Sequence, residues 1–366
     1  MPETEEQELE GLLEAAPEDD ERVGAWASPL GAAAERLRSA RGVAIGVAAL
    51  AFFLVGFVWA DVSLPQVLVI GIRAGAVYSL IGLGLALVYK ATRVLNFAQG
   101  ELGTVPAFVA YAIMVGFDWS DTGPPPSASR LWWAAVIAVA VGVALAILVN
   151  AFVVQRLADT SGVTTLVATA GVALLLTSTE VVMFEAKLRP FPRFVDGNAF
   201  KVGNTPVEWH TVIVVLVLAG AALALAAFFR SPPGVALLAT AQEPFAAELS
   251  GVSVRTMSLL AWGAAGALGA IGGLLGAGVF TNLRPGLMTT TFLIPAFTGA
   301  VLGGLTSMVG AVVGGLLLGM VVAYANELFL SLEFLRNVPG PPQIAILTVL
   351  LVVLLVRPRG LFGREA

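Results

Sequence analysis

The chain has 366 residues, 58% of them hydrophobic and only 12% charged, with a mean hydropathy of +0.89 and no cysteine. That balance excludes a soluble fold, a disulfide framework and thiol or thiolate-metal chemistry. The net charge of -5 joins two unlike parts: residues 1–21 hold ten acids and no base, leaving fifteen acids against twenty bases in the remainder.

The acidic leader has few residues able to bury, so residues 1–41 are expected to form a disordered N-terminal extension. A short amphipathic helix through Leu9, Leu12 and Leu13 is the alternative. The leader is not a secretory signal, because acids come first and the apolar run starts only near Gly42. From there the pattern is that of an all-α, polytopic membrane protein, with apolar runs long enough to cross the hydrocarbon core. Ten spans are expected, at 42–60, 66–89, 97–116, 132–154, 163–183, 211–229, 257–279, 292–305, 308–326 and 342–356. The eighth is short and Pro295 interrupts its start, so a half-membrane helix is the other reading.

Bases near span ends set the orientation. Arg36, Arg38, Arg41, Lys90, Arg93, Arg156, Arg230, Arg255, Arg357 and Arg359 share one side if both termini are cytoplasmic. Lys187, Arg189, Arg193 and Lys201 in the loop 184–210 break this rule, and that long, proline-bearing loop is expected to form a folded outer cap. Glycines at 263, 266, 269, 272, 273 and 276, and again at 299, 303, 310, 314, 315 and 319, suit close helix packing; flanking a path or hinge is the second reading.

Few residues suit chemistry. The single histidine, His210, lies beside Trp209 at a span end and reads as interfacial. Lys90, Lys187 and Lys201 are the only lysines, and none follows a glycine as a phosphate-binding loop requires. No metal-ligand spacing occurs, so neither an enzyme, a bound cofactor nor a resident metal is expected. Arg73, two turns into the second span, either snorkels or faces a pathway, where Glu180 is the candidate partner. The polar run Asn96-Phe97-Ala98-Gln99-Gly100-Glu101 follows a membrane-length helix and opens onto another. Polar groups there are costly, which suggests a gate, while Glu101 also suits a helix N-terminal cap. In the loop 231–254, Glu243-Pro244-Phe245-Ala246 through Glu248-Leu249 to Gly251 has a proline to start a helix and a glycine to end it. Its apolar face of Phe245, Ala246 and Leu249 suits a partner's groove; a connector helix packed on its own bundle is the bland alternative.

The Asn-Phe-Ala-x-Gly-Glu run resembles the permease subunits of branched-chain amino acid ABC importers. So do Ala239-x-Ala-x-x-Pro-x-x-Ala-x-x-x-Gly251 with the glycine-rich helix after it, Phe297 to Gly319, and the ending Leu355-Val-Arg-Pro-Arg-Gly-Leu-Phe-Gly363. These motifs stand in order between about residues 66 and 363. The family more often has His where Gln99 stands, a base at Leu238 and Asn at Glu243. The resemblance implies a permease core at 61–366 with one additional helix at 42–60. It further implies import of branched-chain or related hydrophobic amino acids across the cytoplasmic membrane, with a second permease, an external binding protein and cytoplasmic ATPases that use the ATP. Asn96, Gln99, Gly100 and Glu101 become gate candidates, and 243–251 the ATPase-coupling segment. Urea or short amides are alternative substrates, and a stand-alone channel or facilitator is the alternative from another class.

Overall fold

The computed structural model describes residues 62–118, 126–158, 160–333, 336–357 and 359–363. The acidic extension and the span expected at 42–60 lie outside the described residues.

The described chain is predominantly helical. α1 (Leu64–Thr92) begins at a proline and ends where Arg93 takes a left-handed conformation. A 3-10 turn (Phe97–Gln99) leads into α2 (Glu101–Met114). α3 (Ala128–Val149) continues through a π turn (Asn150–Val154) and a 3-10 turn (Gln155–Leu157). α4 (Gly162–Phe184) and α5 (Trp209–Phe228) enclose the strands β1 (Arg189–Pro190), β2 (Asn198–Val202) and β3 (Thr205–Glu208). Two short helices follow, α6 (Pro232–Gln242) and α7 (Pro244–Leu249), and then α8 (Val254–Phe280) and β4 (Asn282–Leu283). A π turn (Met288–Leu293) enters α9 (Ile294–Gly303), and α10 (Met308–Ser331) and α11 (Pro341–Val356) complete the order. Serine side chains cap α4, α8 and α10, with Ser161, Ser253 and Ser307 accepting from Thr164, Thr256 and Gly310.

Among the described residues six helices are long and apolar enough to cross a membrane: α1, α3, α4, α5, α8 and α10. Three expected spans are shorter. α2 has 14 residues, about 21 Å at 1.5 Å per residue, shorter than a core of about 30 Å. The segment Met288–Gly303 and α11 are likewise too short to count among the six. The protein is therefore a multi-pass helical membrane protein with further apolar helices shorter than these six.

Glycine decides which helices meet. α1 and α8 form the centre, with 67% and 72% of their apolar windows buried, against 17% and 22% for α4 and α5. Gly273 of α8 faces the backbone of Gly103 in α2, and an added Cβ there would lie 2.6–2.7 Å from its Cα and carbonyl carbon. Gly315 of α10 opposes Ser79 of α1 in the same way, and Ser79 Oγ donates to the Val312 carbonyl at 2.8 Å. In lipid, where apolar burial drives little association, such backbone approach supplies the packing. The C-terminal Leu361 and Phe362 donate their backbone N–H groups to Leu302 and Gly303 at 2.8 and 2.9 Å, which ties the chain end to α9.

The expected folded cap is present. β2 and β3 form an antiparallel hairpin with Phe200 opposite Val207, and β1 pairs antiparallel with β4. Because β4 follows the last residue of α8 and α7 precedes its first, the cap and α7 occupy opposite ends of that 27-residue helix. His210, expected at an interface, is fully buried beneath the cap. Its Nδ1 accepts from the Phe194 amide at 3.4 Å and its Nε2 lies 3.1 Å from the Leu275 carbonyl. The adjacent Trp209, 47% exposed, is the exposed residue of the pair.

Candidate functional site

Two features separate from one another concentrate the polar chemistry: a buried junction around Asn96–Glu101, and an exposed surface around α7.

The junction begins where α1 ends. Asn96 Oδ1 accepts from the Ala98 amide at 3.0 Å, a local cap, while Nδ2 donates to Gln99 Oε1 at 3.2 Å. Gln99 Nε2 reaches across to the Ala265 carbonyl of α8 at 2.9 Å. The Phe97 amide is held by Thr169 Oγ1 of α4 at 3.2 Å. Irregular backbone within a membrane bundle must find partners inside the protein, and these side chains provide them. Asn96, Gln99 and Glu101 are all buried.

Glu101 lies deeper than a membrane-mouth residue. Its Oε1 accepts from Thr177 Oγ1 at 2.8 Å, and Thr177 stands fifteen residues after Gly162, about 22 Å along α4 at 1.5 Å per residue. The run after Arg93 therefore re-enters the bundle, and α2 starts well inside it with Glu101 in its first turn. The second short segment meets them there. Gly100 packs against the backbone of Thr289 in the π turn, and Thr104 Oγ1 accepts from the Met288 amide at 3.2 Å. Gly286, at φ +67°, presents its N–H to Glu180 Oε2 at 2.8 Å.

Glu180 thus joins the junction and does not pair with Arg73. Arg73 is bound at the cap instead, where Glu208 accepts from Arg73 and from Arg193, each at 3.2 Å. Glu208 is 135 positions from Arg73 and ends β3, so the fold of the cap decides its place.

At the other end of α8, α7 forms with Glu243 as its N-cap residue. Ala247 is its buried contact, while Phe245 and Leu249 are each 75% exposed and Ala246 and Glu248 face outward with them. Gly251, at φ +81°, turns the chain toward α8. Beside α7 is a cavity of about 890 Å³ whose lining includes Arg93, Arg156, Arg255, Pro244 and Glu248. The loop itself is acidic, yet bases from three other segments surround it, a grouping that linear reading missed.

Comparison with known proteins agrees with these motifs. Residues 67–357 match the family model described as the branched-chain amino acid transport system permease component. The chain belongs to this family. The high-affinity branched-chain amino acid transport permease BraD of Pseudomonas aeruginosa is 28% identical over 310 residues, covering 82% of this chain and 95% of that protein. LivH of Escherichia coli K12 is 27% identical, covering 80% and 94%. A probable LivH of Methanocaldococcus jannaschii is 27% identical, covering 78% and 88%. Among solved structures, PsaBC from Streptococcus pneumoniae in complex with Fab aligns over 85% of this chain and 97% of that one. The TM-score of 0.41 at 14% identity is too low to establish a common fold.

Proposed function

We propose that this permease is the membrane-spanning half of an ATP-driven importer for branched-chain or related hydrophobic amino acids. The observation that carries the reading is α7: a helix held on the bundle by Ala247 that presents Phe245 and Leu249 outward. An apolar ridge of this kind suits insertion into the groove of a cytoplasmic ATPase. The bases Arg93, Arg156 and Arg255 beside it suit an acidic rim on that partner. The substrate class rests on the names of the relatives, BraD and LivH.

In this account the ATPases bind ATP, a second permease completes the pathway, and an external binding protein delivers the substrate. Both termini face the cytoplasm. Closure of the ATPases moves α7 and hence α8. Gln99, bonded to Ala265 of α8, passes that motion to the re-entrant segment, so Asn96, Gln99, Gly100 and Glu101 form the gate. Two interrupted helices meeting within a bundle are a recurring setting for transport sites, which supports a pathway beside α2 and the 288–303 segment. Arg73 and its Glu208 partner anchor the cap at the outer end.

The test is uptake into proteoliposomes holding the permease pair, the ATPases and the binding protein. Leucine uptake that requires ATP and is not competed by urea is the expected result. Passive leucine flux without the ATPases would replace this reading with that of a facilitator, and competition by urea would reassign the substrate.

A further inference from the structure

Two carboxyl groups inside the junction have a feature that packing leaves unexplained. Glu101 is wholly buried and Glu180 is only 3% exposed. Each has one oxygen in use: Glu101 Oε1 accepts from Thr177 Oγ1 at 2.8 Å, and Glu180 Oε2 accepts from the Gly286 amide at 2.8 Å. The other oxygens, Glu101 Oε2 and Glu180 Oε1, are inaccessible to solvent and have no donor among the described residues. Both carboxyl groups converge on the Gly286 turn: its N–H donates to Glu180 Oε2 at 2.8 Å, a Cβ added at Gly286 would lie 3.8 Å from Glu101 Oε1, and Glu101 bonds Thr177, one turn before Glu180.

The surrounding bases are engaged elsewhere. Arg189 donates to the Phe184 carbonyl, Arg284 donates to Thr290 and Thr291, and Lys187 pairs with Glu185. Arg73 and Arg193 hold Glu208, and His210 faces Leu275 and Phe194. Two ionised carboxylates converging on one turn without a cation repel each other, and neither can donate to the other. One added proton removes both defects, because a protonated carboxyl donates while its neighbour accepts.

We infer that Glu101 and Glu180 share one proton, and that this proton latches the start of α2 to α4 and to the Gly286 turn. The bridging O–H···O⁻ bond uses the two otherwise unpartnered oxygens, and the pair carries a single negative charge. Loss of the proton to solvent leaves two facing anions at the point where both interrupted helices begin. The latch is then weakened at a place from which α2 and the Met288–Leu293 turn can separate. This inference does not depend on the substrate or on the ATPase.

Infrared difference spectroscopy on the purified, full-length permease in nanodiscs tests it. The carbonyl stretch of a protonated carboxylic acid, shifted in D2O, is expected at neutral pH. It should disappear in Glu180→Gln and in Glu101→Gln. Glu180→Gln can still accept from Gly286 through its amide oxygen and donate to Glu101 through its amide nitrogen, so it retains the fold. Glu180→Ala, which leaves both partners unmet, melts lower. Glutamates in the unfolded chain are ionised at neutral pH, so the native state holds the extra proton and its stability falls as pH rises. That fall should be smaller in Glu180→Gln than in the parent. A folded parent with no acid band overturns the inference, as does a band that survives in both glutamine variants. Parallel stability–pH curves for parent and Glu180→Gln overturn it too. An absent band together with stability that requires added sodium or potassium would also overturn it, assigning the pair to a cation.

Discussion

Replacing Gly273 by alanine tests the packing at the centre of the bundle. The new methyl carbon would lie 2.6–2.7 Å from the carbonyl carbon and Cα of Gly103, whereas ordinary contacts there are 3.4–4 Å. The obstacle is backbone and not a flexible side-chain end, so α2 and α8 must move apart by about 0.7 Å or more, the difference between those distances. Overpacking of this kind costs about 1–3 kcal/mol. A control is available in α4, where Gly171 has nothing within 4 Å of an added Cβ. There alanine relieves the helix of glycine's conformational entropy and should stabilise by about 0.5–1 kcal/mol. The two variants are therefore expected to differ by about 1.5–4 kcal/mol. SDS-induced unfolding of each in bicelles, followed by circular dichroism, gives the comparison. Equal midpoints for Gly273→Ala and Gly171→Ala would refute the argument that glycine at 273 permits the α2–α8 contact.

Other predictions follow from single side chains. Gln99→Leu removes the bonds to Ala265 and Asn96 and leaves buried partners unmet, so it should cost about 1–3 kcal/mol in the same assay. It should also lower uptake more than it lowers the folded fraction. Phe245→Asp, at a site 75% exposed, should change stability by no more than about 0.5 kcal/mol while abolishing ATPase association in a pull-down. Arg73→Met leaves Glu208 paired with Arg193, so a loss of no more than about 1 kcal/mol is expected for this pair, each side chain of which is 25% exposed. A much larger loss would mean that Arg73 has a second role within the bundle.

Local chemistry made much of this protein legible. The proline and glycine bracketing Phe245 and Leu249 mark α7, and the recurring glycines, mainly three residues apart in α8 and four apart in α10, mark their close-packed faces. The apolar lengths mark the long helices, but hydropathy cannot tell a crossing helix from one that stops inside the bundle. Residues 97–116 are apolar enough to cross, yet α2 covers only Glu101–Met114 because the Asn96–Gly100 run takes its hydrogen bonds from Thr169, Ala265 and itself. The depth of Glu101 depends on tertiary pairing with Thr177, which no local pattern encodes. A clue was present in Thr177 and Glu180, three residues apart and hence on one face of an otherwise apolar helix. Arg73 met Glu208 and not Glu180 because the cap folds back over the end of α1, a placement that depends on loop conformation. His210 was buried by the same fold.

The central claim is that this permease moves substrate only as part of an ATP-driven assembly engaged through α7. Native mass spectrometry of the protein, gently extracted from its own membrane, tests that most directly. A second permease and P-loop ATPases should co-purify with the parent and be lost from Phe245→Asp. A solitary permease, obtained reproducibly and indifferent to that substitution, would contradict the account.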